Sequence, residues 1–215
     1  MRVYKFLTAQ WALDDLENKR LKIARFLELN DPFELLFSNM SDPHLRAALA
    51  LQKLQMHLKR GLLCFSRKWS NPLLWSHYAD KHTGICLGFD VQDECAMDVT
   101  YTENRLEITA EYLKALPEAE FKEIVKKWLW TKYKGWSYEE EVRQYVNLEE
   151  EVRDPATGFY FHLFDDVVKL REVITGPLCH DENVTKIEEA VEGFGEAIEL
   201  IRGRLALGSF EVVRE

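Results

Sequence analysis

The sequence lacks the segments that mark membrane and secreted proteins. Its apolar runs are far shorter than the roughly 20 residues that a membrane-spanning helix needs, and its first residues, MRVYKFLTAQWALDD, contain no apolar signal segment. The cysteines are few and scattered, at positions 64, 86, 95 and 179, and no two are spaced as CxxC. We therefore expect a cytoplasmic protein without membrane contacts, whose thiols are reduced and mostly buried.

The best-known phosphate and zinc motifs are missing as well. No GxGxxG or GxxxxGK[ST] loop occurs, and neither does HExxH. The formal net charge of −9 provides no broad positive field, so the global charge does not support a nucleic-acid partner, although a local basic patch is compatible with it. These absences leave small-molecule and protein ligands as the classes to consider.

The chain has enough apolar sequence for a sizeable core, since 47% of its 215 residues are hydrophobic. It contains no repeats, low-complexity tracts or linkers. We predict a single α+β domain over residues 1–215, built on a largely antiparallel or mixed sheet. Helical insertions are expected over 35–60 and 110–133, with a C-terminal helix and strand over 184–215.

Particular elements follow from apolar periodicity. Strands are predicted over 62–65, 85–89, 159–164 and 167–174, and alternation predicts further strands over 21–25 and 136–146. A stripe of apolar residues predicts a helix over 184–203. The segment 72–80 reads as a helix between the strands at 62–65 and 85–89.

This central helix carries a dense set of polar and aromatic side chains. His77 and Asp80 could form an acid–base pair, with Ser76 or Tyr78 supplying a hydroxyl for nucleophilic hydrolysis. Proximity in sequence does not establish such a triad, because triads are defined by spatial geometry.

Two other interpretations of the same block stay open. His77, His82 and Cys86 could gather around a zinc ion, although their spacing matches no standard finger. Alternatively, Trp75 and Tyr78 pack in the core while His77 caps or bonds the backbone.

The second candidate is the acidic segment at 136–146. On a strand, Glu139, Glu141 and Arg143 would project to one side, and repulsion would raise the pKa of one carboxylate while Arg143 opposes that shift. Such a group could orient a hydroxyl or stabilise a cationic transition state. The alternative is a solvated edge strand whose charges only pair with each other.

The third candidate is the turn Asn30-Asp31-Pro32-Phe33-Glu34. Its acidic groups could anchor a ribose or a cation. Most turns of this composition only end one element and cap the next.

Together these blocks resemble the DUF2971 family of bacterial and phage proteins, whose function is largely unassigned. The matching residues are Tyr4-Lys5-Phe6, Asn30 to Glu34, Cys64-Phe65-Ser66, Leu74 to Ala79, His82-Thr83-Gly84, Phe89-Asp90, Trp136, Glu139, Glu141, Arg143 and Val173 to Pro177. They extend over residues 3–178. Ala24-Arg25 departs from the family, whose members are often Ser-rich before the turn.

The order of these motifs is also similar, more loosely, to that of ADP-ribosyltransferases. That resemblance implies NAD as substrate, bound by Tyr4, Lys5, Asn30 and Asp31, with Trp75, His77 or Tyr78 lining the nicotinamide pocket. Glu141 or Glu139 would orient the ribose beside Arg143, because a carboxylate stabilises the oxocarbenium character that develops when the glycosidic bond breaks.

The resemblance implies a cytoplasmic transferase, acting as a toxin or in phage defence, for which no metal is expected. The alternative is a noncatalytic nucleotide-sensing or protein-interaction module that uses the same cleft. A metal-dependent hydrolase is the third possibility. Fold-level analogy does not decide among them, since function has to be argued from the site.

Overall fold

A computed structural model describes residues 1–35, 41–105, 108–195 and 197–215. The strands are Arg2–Leu7 (β1), Arg20–Lys22 (β2), Ala24–Arg25 (β3), Arg60–Ser66 (β4), Ile85–Val91 (β5), Ala96–Asp98 (β6), Thr100–Thr102 (β7), Thr131–Tyr133 (β8), Glu141–Asn147 (β9), Val152–Arg153 (β10), Tyr160–Leu163 (β11), Val168–Thr175 (β12), Glu199–Leu205 (β13) and Val212–Arg214 (β14). The α-helices are Ala9–Glu17 (α1), Pro43–Lys59 (α2), Pro72–Tyr78 (α3), Ala110–Ala115 (α4), Glu118–Leu129 (α5) and Asp181–Glu192 (α6). Short 3₁₀ turns cover Asp93–Cys95, Lys134–Glu139 and Leu148–Glu150.

The main sheet has the strand order β14-β13-β12-β5-β1-β4-β9-β6, with β3 beside β4. Most neighbours are antiparallel, whereas β12 and β13 are parallel and are connected through α6. A small sheet joins β10, β11 and β2, and β7 pairs in parallel with β8. The predicted α+β class with a mixed sheet is therefore confirmed.

Local sequence explains where the helices begin. The side chains of Thr8, Asp42 and Asn71 accept hydrogen bonds from backbone amides in the first turns of α1, α2 and α3. Pro43 and Pro72 then occupy the first helical positions, where a missing N–H costs nothing. These caps and prolines determine the residues at which α1, α2 and α3 begin.

One edge of β4 is shared by two different strands, and this feature positions the site. β1 pairs with β4 only at Tyr4 and Ser66, while β3 pairs with it only at Gly61 and Leu62. The stretch of β4 between them has no registered strand partner on that side in the described residues. β1 instead pairs with β5 along its whole length. A gap therefore opens within the main sheet.

The core is divided among three clusters. One lies under α1 and α6, a second under α2 and α5, and a third under α3. Trp75 of α3 is fully buried, donates from Nε1 to the backbone oxygen of Trp69 at 2.6 Å, and packs edge-on against Phe6. The predicted contact between Trp75 and a nicotinamide is therefore wrong, because the indole belongs to the core.

The helix predicted over 184–203 is also wrong in its second half. α6 ends at Glu192, and the residues from Glu199 form β13, which pairs in parallel with β12. Gly193 and Gly195 follow the helix and interrupt it, because glycine is a poor helix former. Glu196 lies outside the described residues.

The acidic segment is not one strand either. Lys134–Glu139 forms 3₁₀ turns, Glu140 adopts a left-handed conformation with φ of 43°, and β9 begins only at Glu141. The alternative of a solvated edge strand is contradicted too, since β9 lies between β4 and β6. Similarly, the predicted strand 21–25 is two short strands in different sheets.

Other expectations can be compared directly. The 35–60 insertion contains α2, although 36–40 lie outside the described residues, and the 110–133 insertion contains α4 and α5 but ends in β8. The cysteines form no disulfide, and Cys86 is buried while the other three are half-buried. No helix in the described ranges is long and apolar enough to cross a bilayer.

Replacing Trp75 tests its place in the core. We expect Trp75→Ala to lower the free energy of unfolding by about 3–5 kcal/mol, because a large buried side chain leaves a cavity. Urea denaturation measures this loss, with Leu207→Ala as the control, since Leu207 is 99% exposed. A loss below 1 kcal/mol for Trp75→Ala would place the indole outside the core.

Candidate functional site

A cavity of about 260 Å³ occupies the gap beside β4. Its lining comes from β1, β3, β4, α3, β8, the 3₁₀ segment Lys134–Glu139, β9 and the segment 28–34. The polar side chains that line it are Tyr4, Lys5, Glu28, Asn30, Glu34, Ser66, Tyr78, Lys132, Glu139, Glu141 and Arg143. The separation of β1 from β4 thus opens directly onto an array of ionisable groups.

Arg143 of β9 is the centre of this array. Its guanidinium is 1% exposed and binds Glu34 through two nitrogens, at 2.6 and 3.1 Å. It also binds Glu141 at 2.7 and 2.9 Å and donates to the backbone oxygen of Leu129 at 2.9 Å. A planar guanidinium suits this geometry because it can serve two carboxylates at once.

Lys132 of β8 is the second buried cation. Its Nζ lies 2.6 Å from Glu139, 3.0 Å from Glu141 and 3.5 Å from Glu34. Burial alone would lower the pKa of Lys132, but the three carboxylates outweigh burial and raise it. The ammonium is therefore charged at neutral pH, and it holds the segments that carry these carboxylates together.

The cluster contains three carboxylates and two cations, so one negative charge is in excess if all groups are ionised. Burial would raise the pKa of Glu141, but Arg143 and Lys132 outweigh it and lower that pKa to about 2. For Glu139 burial outweighs the attraction of Lys132, and its pKa is raised. Two carboxylates with pKa values moved apart have different roles available to them: Glu141 is a fixed anion, whereas Glu139 takes up a proton more readily.

Glu139 is also connected to the cavity mouth by hydrogen bonds. The Tyr78 hydroxyl donates to Glu139 at 2.5 Å, and the exposed Asn30 amide donates to the same hydroxyl at 2.8 Å. Burial and the bond to Glu139 raise the pKa of Tyr78, so the hydroxyl keeps its proton. The chain from Asn30 to Glu139 gives this carboxylate a fixed orientation.

Lys5 of β1 adds a positive charge to the cavity lining. Its Nζ donates to the backbone oxygen of Cys64 at 3.4 Å and lies 5.9 Å from the centre of the Phe65 ring. No carboxylate lies within ion-pair distance of Lys5 among the described residues. Lys5 is therefore the cation of this cavity that is available to an anionic ligand.

The structure brings together seven of the residues singled out from the sequence. Tyr4, Lys5, Asn30, Tyr78, Glu139, Glu141 and Arg143 line the same cavity. Glu139 and Glu141 meet at Lys132 because Glu139 closes the 3₁₀ segment just before β9, and not because the two share a strand face.

Three of the predicted site residues lie elsewhere. Trp75 is in the core, as described above. His77 is exposed and bonds the Tyr138 hydroxyl at 3.0 Å, outside the cavity lining. Asp31 is buried, accepts from the backbone amide of Phe33 at 2.9 Å, and faces a second cavity.

The proposed zinc ligands do not gather either. His82 bonds Ser76 at 2.9 Å, while Cys86 is buried in the cluster under α3. Within the described part of the chain, no three His, Cys, Asp or Glu side chains form a group that could hold a metal ion.

The sequence analysis missed Lys132, and it considered a ribose or a cation, but not Arg143, as the partner of Glu34. Lys132 lies in the 110–133 segment, for which the sequence predicts helix. The one local signal of its burial is that it stands between Thr131 and Tyr133 in a short strand, so that its side chain points to the other face. Glu34 stands in the quoted turn, but its partner Arg143 is 109 residues away. Neither pairing has a local signature.

Comparison with known proteins supports part of the resemblance. Residues 74–144 match the DUF2971 family, described as a protein of unknown function. The matched stretch includes Tyr78, Lys132, Glu139, Glu141 and Arg143, whereas Lys5 and Glu34 lie outside it. The predicted resemblance to DUF2971 is thus confirmed over α3 to β9. No curated protein and no solved structure matches the chain.

Breaking the cluster tests its contribution to stability. We expect Arg143→Met to lower the free energy of unfolding by about 3–5 kcal/mol, because it leaves Glu34 and Glu141 buried without their main partner. The matched control is Arg67→Met, which breaks the exposed pair with Asp98 and should cost less than about 1 kcal/mol. Urea titrations of both variants measure the difference, and equal losses would contradict a buried network.

Asp15 of α1 gives a prediction about pH. It is 1% exposed, neither of its oxygens has a hydrogen-bond partner in the described residues, and burial raises its pKa to about 7 although Lys5 acts against the shift. A raised pKa favours the folded state at low pH, and this contribution is lost as pH rises from about 4 to about 7.

We therefore expect the free energy of unfolding of Asp15→Asn not to fall over this pH range. Relative to the wild type, the variant should become more stable by up to about 4 kcal/mol between pH 4 and pH 8. Denaturant titrations across this range measure the effect. Asp166→Asn, on an exposed turn, should keep the wild-type pH dependence. Parallel curves for the wild type and Asp15→Asn would contradict the prediction.

Proposed function

We propose that this chain is an enzyme of the ADP-ribosyltransferase type, which cleaves the glycosidic bond of NAD and transfers the ADP-ribose. The observation that carries the proposal is the shared cavity: the carboxylate of Glu139 lines the same space as the ammonium of Lys5, which has no carboxylate within ion-pair distance in the described residues. These are the two charges that such a substrate requires, one for the reacting sugar and one for its phosphates.

Glu139 is the carboxylate that we assign to the ribose. When nicotinamide leaves, positive charge develops on the sugar, and a carboxylate held in position stabilises it. Lys132 and Tyr78 hold one oxygen each of Glu139. Glu141 is less suited to this role because Arg143 binds both of its oxygens.

Lys5 is assigned to the pyrophosphate and Tyr78 to positioning. The Tyr78 hydroxyl orients Glu139 and is not itself a reacting group. A cavity of about 260 Å³ is small for a ligand pocket, so it suits the nicotinamide riboside end of the substrate better than the whole dinucleotide. The adenylate would then extend past Lys5 toward the open side.

A second candidate function is noncatalytic binding of a nucleotide in the same cavity. It is favoured by the complete pairing of Glu141 with Arg143 and Lys132, which is also what a rigid binding wall needs. The two candidates differ in one observable, since only the enzyme releases nicotinamide from bound NAD.

Glu139→Gln separates these functions. Because the cluster has one carboxylate in excess, this variant should fold normally, while release of nicotinamide from NAD should fall by about 100- to 1,000-fold. The acid limb of the pH profile should disappear with it, since Glu139 must be ionised to act and its pKa is raised. Nicotinamide release measured by chromatography, together with NAD binding measured by calorimetry, provides both quantities.

Glu140→Gln is the matched control for this experiment. Glu140 is the neighbouring residue, and its carboxylate forms an exposed pair with Lys68 at 2.7 Å. It should keep wild-type turnover. If the wild type binds NAD but releases no nicotinamide, the result favours the noncatalytic binding function. If the wild type neither binds NAD nor releases nicotinamide, both proposals are contradicted.

A further inference from the structure

A second cavity of about 300 Å³ lies on the other side of the Glu34–Lys132 contact. One wall is the turn that carries Asp31 and Phe33, and the other is formed by the ends of β7 and β8 with the residues that follow β7. Nothing in the proposed reaction uses this cavity. Its lining differs from that of the first cavity, because two exposed aromatic side chains, Phe33 and Tyr133, contribute to it.

Two aromatic rings stand at the rim with large exposed areas. Phe33 is 60% exposed and Tyr133 is 58% exposed, although both line a concave space. The Tyr133 ring lies beside Gly135, where an added Cβ would come within 2.6 Å of it. Exposed aromatic rings beside a cavity stack well on flat heteroaromatic ligands, and every nucleobase has such a face.

Arg105 adds a second kind of contact for a base. Its guanidinium lies 5.2 Å from the centre of the Phe33 ring, and guanidinium planes stack on bases as aromatic rings do. Arg105 has no ion-pair partner in the described residues. The cation is therefore available to a ligand between the two walls.

Asn104 supplies the hydrogen-bonding groups that distinguish one base from another. Its backbone groups are bound to the Thr102 hydroxyl, whereas its side-chain amide makes no hydrogen bond within the described ranges. An asparagine amide pairs with adenine through one donor and one acceptor. From this combination we propose that the second cavity is a binding site for a nucleobase, with adenine preferred.

The site is separate from the first cavity but shares a wall with it. Glu34 and Lys132 line both cavities, and Phe33 directly precedes Glu34 in the turn. A base stacked on Phe33 therefore contacts the segment that Arg143 holds in place. This inference does not depend on the reaction proposed for the first cavity, because it concerns binding alone.

Titration of the full chain with adenosine, followed by NMR, tests the proposal. We expect saturable binding, and Phe33→Ala or Tyr133→Ala should weaken it by between about fivefold and 150-fold, the range that loss of one stacking partner produces. Phe33→Trp should retain it, since the larger ring keeps the stack. Phe210→Ala is the control, because Phe210 is 97% exposed and lines neither cavity.

The positions of the shifted NMR signals identify the cavity that is occupied. The backbone amide signals of Asn104 and Tyr133, which line only the second cavity, should shift, whereas those of Cys64 and Ser66, which line only the first, should not. The proposal is overturned if adenosine does not bind, or if the signals of Cys64 and Ser66 shift while those of Asn104 and Tyr133 do not. Neither result bears on nicotinamide release, so failure here is distinguishable from failure of the transferase assignment.

Discussion

The double contact between Arg143 and Glu34 is the interaction on which the rest of the site depends. It joins β9 to a turn more than 100 residues earlier in the chain, with both side chains 1% exposed. Because the same guanidinium holds Glu141, the turn, β9 and the end of α5 are fixed to one another through a single side chain. Both cavities take a wall from this assembly, since Glu34 lines each of them.

A buried ionic cluster is an expensive way to join three segments. Removing charges from water costs several kcal/mol per ion, and apolar side chains of similar volume often stabilise a fold as well or better. Stability alone therefore does not account for the cluster. What it provides is a carboxylate, Glu139, that is held by Lys132 and Tyr78 and whose pKa is raised by burial in spite of these bonds. Such a group is held in position and is still able to respond to a ligand.

The sequence predicts the fold class and the strands around α3, because apolar runs and caps are local signals. The sequence also identifies Glu139, Glu141 and Arg143 as candidates, although the strand over 136–146 from which they were identified is wrong, since β9 begins only at Glu141. The prediction of a helix over 184–203 is wrong in its second half for a related reason: Ile201 suits a helical stripe and a strand equally, and only its pairing with β12 decides between them. Lys132 could not be recognised, and the pairing of Glu34 with Arg143 could not be foreseen, since these partners are defined by tertiary contacts. Trp75 was ambiguous, because a core indole and a pocket indole look alike in sequence.

The gap in the main sheet and the ionic cluster depend on each other. A stretch of β4 without a strand partner leaves backbone polar groups that need other partners, and buried polar groups rarely go unsatisfied. Lys5 meets part of this need at Cys64. The cluster, in turn, needs a polar boundary that a continuous sheet would not give it. A site at this position therefore follows from how β4 is shared between β1 and β3, and the charged residues determine what that site can bind.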